Sequence, residues 1–314
     1  MDVRQLRYFT AIYEHGTLSN AAQHARVAVS ALSHHLANLE AELSAPLFVR
    51  KPRGLQPTAS GERLYAHAKS ILKAMAAAER DIREADGEIS GEVSVGMSHS
   101  VVKAIGVPLA RTVLADYPKL RLCLTEGLSG SIVMHLVNSD VDIALVYNPT
   151  AEPALKTTPV LEERLVCLGR REIVGDTDAP ITFAELLELP LLSLRPGLST
   201  RAIIDDPALL KKLESRAMLQ MNSLQAIGGS LVAGLGCLVG TTLIMQEHLQ
   251  SGVLHCRPIV EPEMSRTLYL CEMAGRPATF ALEAVRSLIL RLVDETVRSG
   301  AWEARSLVPD APRS

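Results

Sequence analysis

Apolar positions in the first 60 residues fall at helical spacing. Leu6, Phe9, Ile12 and Tyr13 stand at i, i+3, i+6 and i+7, one stripe of a helix. Gly16 ends that stripe, and Thr17 is placed to cap a second helix from Leu18 to about Ala25. After a break at Arg26–Val29, Ser30 is placed to cap a third helix, in which Leu32, Leu36, Leu39 and Leu43 form one apolar edge. Its opposite edge carries Ser30, Ser33, His34 and Asn38, small or polar and free to point outward. Two short helices, a tight turn and a third helix with a polar first turn make a helix-turn-helix. Pro46–Arg50 then reads as a strand, Lys51–Gly54 as a turn and Leu55–Thr58 as the return, a β-wing with Arg50, Lys51 and Arg53 at its tip.

Over residues 59–86 the apolar stripe runs longer. There is no Pro, and Gly61 is the only Gly. Leu64, Ala68, Ile71, Met75, Ala78, Ile82 and Ala85 alternate spacings of four and three, a heptad seam. A helix lying on its own domain also carries an apolar stripe. A seam sustained this long favours a helix of about 40 Å, at ~1.5 Å per residue, that joins two domains and pairs with a second copy.

From Glu92 strands alternate with helices. Val93–Val95, Arg121–Thr125 and Val141–Tyr147 read as strands, separated by helices over about Val101–Ala115 and up to about Asn138, which implies a parallel sheet. Further strands are expected at Leu165–Leu168, Leu191–Leu194, Leu235–Val239 and Thr267–Cys271, and helices at Thr182–Leu187, Arg201–Glu214 and Ala278–Val297. The predicted fold is α/β: a winged helix-turn-helix over 1–60, a linker and dimerisation helix over 61–87, and two Rossmann-like lobes over 88–314.

With 47% hydrophobic and 21% charged residues, the 314-residue chain can bury a large core. Only 4% is aromatic, so that core must be aliphatic. The net charge of −3 excludes a wholly basic nucleic-acid coat protein. Yet residues 1–60 hold six Lys/Arg against four acids, a local +2, and the rest of the chain sums to −5. An acidic partner at the N-terminal segment fits that asymmetry. The five cysteines, Cys123, Cys167, Cys237, Cys256 and Cys271, have no C-x-x-C spacing, and most sit in apolar runs. They read as buried, reduced thiols of a cytoplasmic protein. Ala217–Gln246 lacks charge, but Gly228, Gly229, Gly234, Gly236 and Gly240 break it into a short helix, a turn and a strand rather than a membrane span. The first residues lack the apolar run of a signal peptide.

The chain resembles the LysR-type transcriptional regulators over essentially its whole length. The resemblance rests on Leu6-Arg7-Tyr8-Phe9, Leu18-Ser19-Asn20-Ala21-Ala22 and Val29-Ser30-Ala31-Leu32-Ser33-His34-His35-Leu36. It continues through Leu39–Leu43, Pro46–Arg50 and Leu55-Gln56-Pro57-Thr58-Ala59-Ser60-Gly61. Glu126–Gly130 and Val141–Asn148 look like the branch that includes nitrogen-assimilation regulators. The resemblance implies lobes of periplasmic-binding-protein type, a small-molecule effector, and an operator bound as a dimer or tetramer. It makes Val29, Ser30, Ser33, His34 and Asn38 base or phosphate contacts, and Arg50, Lys51 and Arg53 phosphate contacts of the wing. Two positions depart from the family, which commonly has Gln at Val29 and Arg or Lys at His34. Valine can touch a thymine methyl but cannot grip adenine, so relatives' base preferences do not transfer.

Ser98, His99 and Ser100 sit between a strand and a helix start, and Ser129 and Gly130 sit at the next such turn. In an open parallel sheet these turns lie at the carboxyl ends of the strands, where N–H groups make an anion site. A plain capping role for the serines is the alternative. Tyr147 is counted with them, and the resemblance places Arg195, Ser199 and Thr200 opposite, with Met97, Leu194 and Leu198 as apolar walls. The expected effector is a small organic anion. Glycine-x-serine-x-serine is not a nucleophile elbow, the glycine cluster lacks the Lys of a P-loop, and no histidine pair has metal-ligand spacing. No catalytic residue, cofactor or metal is therefore expected. The expected partners are double-stranded DNA, the effector and a second copy, with no membrane. A solute-binding protein or enzyme of periplasmic-binding-protein fold is the competing reading. It needs a signal peptide or a catalytic set.

Overall fold

The computed structural model describes all residues except 53, 84–88, 196–203, 205 and 309–314. The described residues form two compact units, the first built on Met1–Glu88 and the second holding most of Ile89–Ser314.

In the first unit, helices α1 (Val3–His15), α2 (Leu18–Ala25) and α3 (Val29–Leu43) follow the apolar stripes. Asp2 and Gln5 form a capping box at the start of α1, and Gly16 closes it at φ 67°, a left-handed turn that glycine adopts without strain. Thr17 caps α2 by accepting from the Asn20 N–H. The third helix starts two residues earlier than predicted. Ala28 is its N-cap and supplies no side-chain hydrogen bond, so Ser30 is not a cap. Strands β1 (Phe48–Lys51) and β2 (Gly54–Pro57) pair antiparallel as the wing, with Arg50 opposite Leu55. Leu6, Phe9, Ile12, Leu32, Leu39 and Leu47 are 3% exposed or less and hold these elements together. Each such side chain contributes about 1.5–3 kcal/mol by leaving water.

Helix α4 (Ala59–Arg83) corrects part of the predicted seam. Ala68 is fully buried in the core of this same unit, and Leu64 and Leu72 lie against that core. The Tyr65 ring stacks on Tyr13 at 3.8 Å, and its hydroxyl donates to Glu14. Ala68 is thus used inside the domain, and Leu64 is half-buried against the same core. Ile71, Met75 and Ile82 are 39%, 37% and 78% exposed, and Ala78 is exposed as well.

The second unit holds two six-stranded sheets. In the first, β3 (Gly91–Ser98) pairs in parallel with β4 (Leu120–Gly127) and β5 (Ile143–Tyr147), as the alternation of strands and helices predicts. It is nonetheless mixed. The long strands β6 (Leu155–Arg164) and β13 (Ser265–Met273) and the short β14 (Arg305–Ser306) extend it antiparallel. Between β6 and β13 the chain builds the second sheet. It comprises β7 (Val166–Gly169), β8 (Ile181–Thr182), β9 (Leu191–Leu194), β10 (Leu219–Met221), β11 (Cys237–Gly240) and β12 (His255–Val260). The predicted helix at Arg201–Glu214 runs from Pro207 to Arg216, started by Asp206, whose carboxylate accepts from the Ala208 and Leu209 N–H groups.

The charge-free stretch divides into β10, a helix over Leu224–Val232, β11 and a 3-10 turn over Thr242–Met245. Among the described residues no helix is long and apolar enough to cross a membrane. All five cysteines are free; Cys167, Cys237 and Cys271 are buried, and burial pushes the Cys271 thiol up to about 12. Cys123 and Cys256 are only half-buried, a correction to the expectation for the full set.

Candidate functional sites: a lobed cleft and a winged head

The cleft is built at the carboxyl ends of β3, β4 and β5. β3 ends at Ser98 and leads directly into α5 (His99–Val101), a π-helical turn (Val102–Gly106) and α6 (Val107–Asp116), which run on unbroken. β4 ends at Gly127 and leads into α7 (Ser129–Val137). Gly96 and Gly127 let α7 lie close, since a Cβ on Gly96 would come 2.6 Å from the Ile132 side chain. Two helix starts therefore face one space. Ser98, His99, Ser100, Ser129 and Tyr147 line a cavity of about 60 Å³ there, closed by Leu194, Leu224, Leu238 and Ile244 of the second lobe.

Below that wall lies a buried polar group that sequence reasoning missed. Arg266, on β13, and Glu163, on β6, are 9% and 1% exposed and stand directly opposite each other in register. Arg266 Nε donates to Glu163 Oε1 at 2.7 Å, and Nη2 lies 2.5 Å from the same oxygen. Nη2 also donates to Ser100 Oγ of the first lobe at 3.2 Å and to Thr241 Oγ1 of the second at 3.3 Å. The guanidinium carbon sits 3.6 Å over the Tyr147 ring. Trp302 Nε1 donates to the other Glu163 oxygen at 2.8 Å. Burial alone would lower the Arg266 pKa, but the Glu163 charge outweighs it and holds the pKa above its ordinary value. Burial, and then Glu163, push the Tyr147 hydroxyl well above its usual range, so it stays protonated and accepts from Ser100 Oγ at 3.3 Å.

Of the predicted effector residues, Ser98, His99, Ser100, Ser129 and Tyr147 meet at this wall. Ser129 Oγ accepts the Tyr147 backbone N–H at 3.1 Å, which ties the start of α7 to the end of β5. His99 pairs with Glu126. Two predicted residues do not line the cavity. Gly130 sits one residue inside α7, and Arg195 is exposed beyond β9, where its N–H continues the edge pairing to Met221 O at 2.8 Å. Met97 is fully buried in the first-lobe core rather than on the wall. Ser199, Thr200 and Leu198 lie outside the described residues. Among the described residues, no group of three or more His, Cys, Asp or Glu is placed to hold a metal.

In the head, Val29, Ser30, His34 and Asn38 are exposed on α3 and Ser33 is half-buried. His34 Nε2 and Asn38 Nδ2 are 3.1 Å apart, one turn from each other on the same face. Arg50 and Lys51 are exposed on β1, and Arg53 lies outside the described residues.

Two family descriptions match. "Bacterial regulatory helix-turn-helix protein, lysR family" covers residues 3–62 and "LysR substrate binding domain" covers residues 86–294. The chain belongs to the LysR family of ligand-responsive, DNA-binding transcriptional regulators. It is 27% identical over 294 residues to the nitrogen assimilation regulatory protein nac of Klebsiella aerogenes, covering 93% of this chain and 95% of that one. Its fold matches a full-length OxyR variant from Pseudomonas aeruginosa, with a TM-score of 0.72 at 21% identity over 93% of this chain and 97% of that one. It also matches full-length CbnR, solved in complex with its target DNA, with a TM-score of 0.60 at 20% identity over 93% of this chain and 100% of that one.

Proposed function

We propose that residues 1–60 read an operator, that 61–87 link and pair two copies, and that 88–314 sense a small organic anion in the cleft. The observation that carries the sensing role is the convergence of Ser98, Ser100, Ser129, Tyr147 and Arg266 on one cavity between two lobes. A cavity of about 60 Å³, at about 10–15 Å³ for each water, holds only a few waters. A larger ligand must part the lobes, and that movement is the signal. Arg266 touches hydroxyls of both lobes, so a ligand competing for it alters the contact between them. The chain acts by binding rather than by catalysis, in the cytoplasm, where its DNA lies.

Val29, Ser30, Ser33, His34 and Asn38 enter the major groove, while Arg50, Lys51 and Arg53 follow phosphate. The first turn of α3 has no side-chain cap, which leaves its N–H groups for a phosphate oxygen. Binding of DNA from beside the chain's own gene, followed by fluorescence anisotropy across a salt series, tests this. Arg50→Ala with Lys51→Ala is expected to weaken binding to every sequence and to flatten the log–log salt slope by ~0.9 per lost contact. An unchanged slope would refute the wing assignment.

For pairing, the exposed half of the seam matters: Ile71, Met75, Ala78 and Ile82. Ile82 is 78% exposed, so Ile82→Asp should leave the melting temperature in place. Placed against a second helix, the same carboxylate is buried without a partner. Sedimentation is expected to show a weakened dimer, and binding to a two-half-site operator is expected to fall. Unaltered sedimentation and operator affinity would remove this seam from the interface.

A further inference from the structure

We infer that the cleft of the second unit takes a carboxylate with a single negative charge and an apolar body, and that Arg266 receives it; this rests on reading the cleft as the effector site. Charge is the first constraint. Arg266 is matched one for one by Glu163, which is 1% exposed, so the pair adds no net charge to the cavity. The remaining positive potential comes from the helix starts at Ser98–His99 and Ser129. Each such end is equivalent to roughly half an elementary charge, so the two together complement about one carboxylate.

A second observation points to a ligand oxygen. Ser98 is 6% exposed and lines the cavity, and its Oγ has no hydrogen-bond partner among the described residues. Buried hydroxyls are nearly always paired, and a carboxylate oxygen on this wall would accept from Ser98 and from Arg266 together. Among the described residues a second carboxylate has nothing to meet. The rest of the described lining is aliphatic, with Leu128, Leu224, Leu238 and Ile244, and the nearby His99 is already engaged by Glu126. An unpaired charge against that lining is disfavoured, whereas a branched hydrocarbon fits it. A wholly uncharged ligand leaves the helix-end potential unanswered.

The test uses the full chain and three probes: 3-methylbutanoate, glutarate and 3-methyl-1-butanol. Calorimetry gives affinities, and the emission of Trp302, the only tryptophan, reports on the Glu163 carboxylate it bonds. The wild type is expected to bind 3-methylbutanoate at least about tenfold tighter than either other probe, with a change in Trp302 emission. Glu163→Gln removes the compensating charge and is expected to raise glutarate affinity about tenfold or more. Glu163→Gln combined with Arg266→Gln keeps a neutral hydrogen-bonding pair, and is expected to abolish the preference for the acid over the alcohol. Equal or tighter binding of glutarate or the alcohol by the wild type, or binding of none of the three, overturns the inference. Selective binding of 3-methylbutanoate that survives both Ser129→Leu and the double exchange would place the ligand elsewhere. It would overturn the cleft itself as the sensing site.

Discussion

Glu163→Ala is expected to lower the stability of the second unit by about 3–5 kcal/mol, the range for breaking a buried ion pair from one side. The loss is large because three neighbours depend on that carboxylate. Arg266 is left as an uncompensated buried cation, the Trp302 N–H loses its acceptor, and the charge facing Tyr147 becomes unbalanced. Removing one donor is milder. Trp302→Phe keeps most of the ring's packing but frees one Glu163 oxygen, and is expected to cost about 1.5–3 kcal/mol, the worth of a hydrogen bond to a charged group. Replacing both Glu163 and Arg266 by well-fitting apolar residues is expected to be close to neutral, because such a pair rarely adds net stability over a hydrophobic isostere. Urea melts of the full chain measure all three. A near-neutral double variant that no longer responds to ligand would show that this pair is kept for recognition rather than for stability.

Local signals made the head and most of the first lobe legible in the sequence. The stripe Leu6, Phe9, Ile12, the cap at Thr17 and the edge Leu32, Leu36, Leu39 are each set within a few residues. Strand-to-helix turns likewise placed Ser98, Ser100 and Ser129 on one wall, because parallel strands bring their carboxyl ends together. Pairings over long separations were not legible. Glu163 and Arg266 lie 103 residues apart, and each reads locally as a charged residue near a strand end. Only the register of β6 against β13 puts them face to face. Trp302, which bonds the same carboxylate, lies 139 residues from Glu163, and no local pattern links the two. The heptad seam was half misleading for a related reason. Spacing identifies an apolar stripe but not what covers it: Ala68 is buried in the head core and Leu64 is half-buried against it, while Ile71, Met75 and Ile82 stay exposed.

The start of α4 yields the other large expected effect. Gly61→Ala is expected to destabilise the head by about 1–3 kcal/mol or more, as overfilled sites do, and to weaken DNA binding with it. A Cβ at Gly61 would stand 2.2 Å from the Leu47 carbonyl oxygen and 3.2 Å from its carbon. Both are backbone atoms, so no side chain can swing aside. The neighbourhood is also committed elsewhere. Leu47 O accepts the Thr58 N–H at 3.0 Å, and Thr58 Oγ1 donates to Pro46 O while accepting from the Gly61 N–H. Leu47 is 1% exposed in the head core, and β1 of the wing begins at the next residue. Relief must therefore move either the wing or the start of α4. Gly252→Ala is the control: at φ +72° with nothing within 4 Å, it carries only the strain of a left-handed residue, about 1–2 kcal/mol, and lies in the second unit. Gly252→Ala is expected to spare DNA affinity, whereas Gly61→Ala is expected to reduce both head stability and operator affinity. Gly61→Ala melting and binding DNA like the wild type would mean that α4 does not start against Leu47.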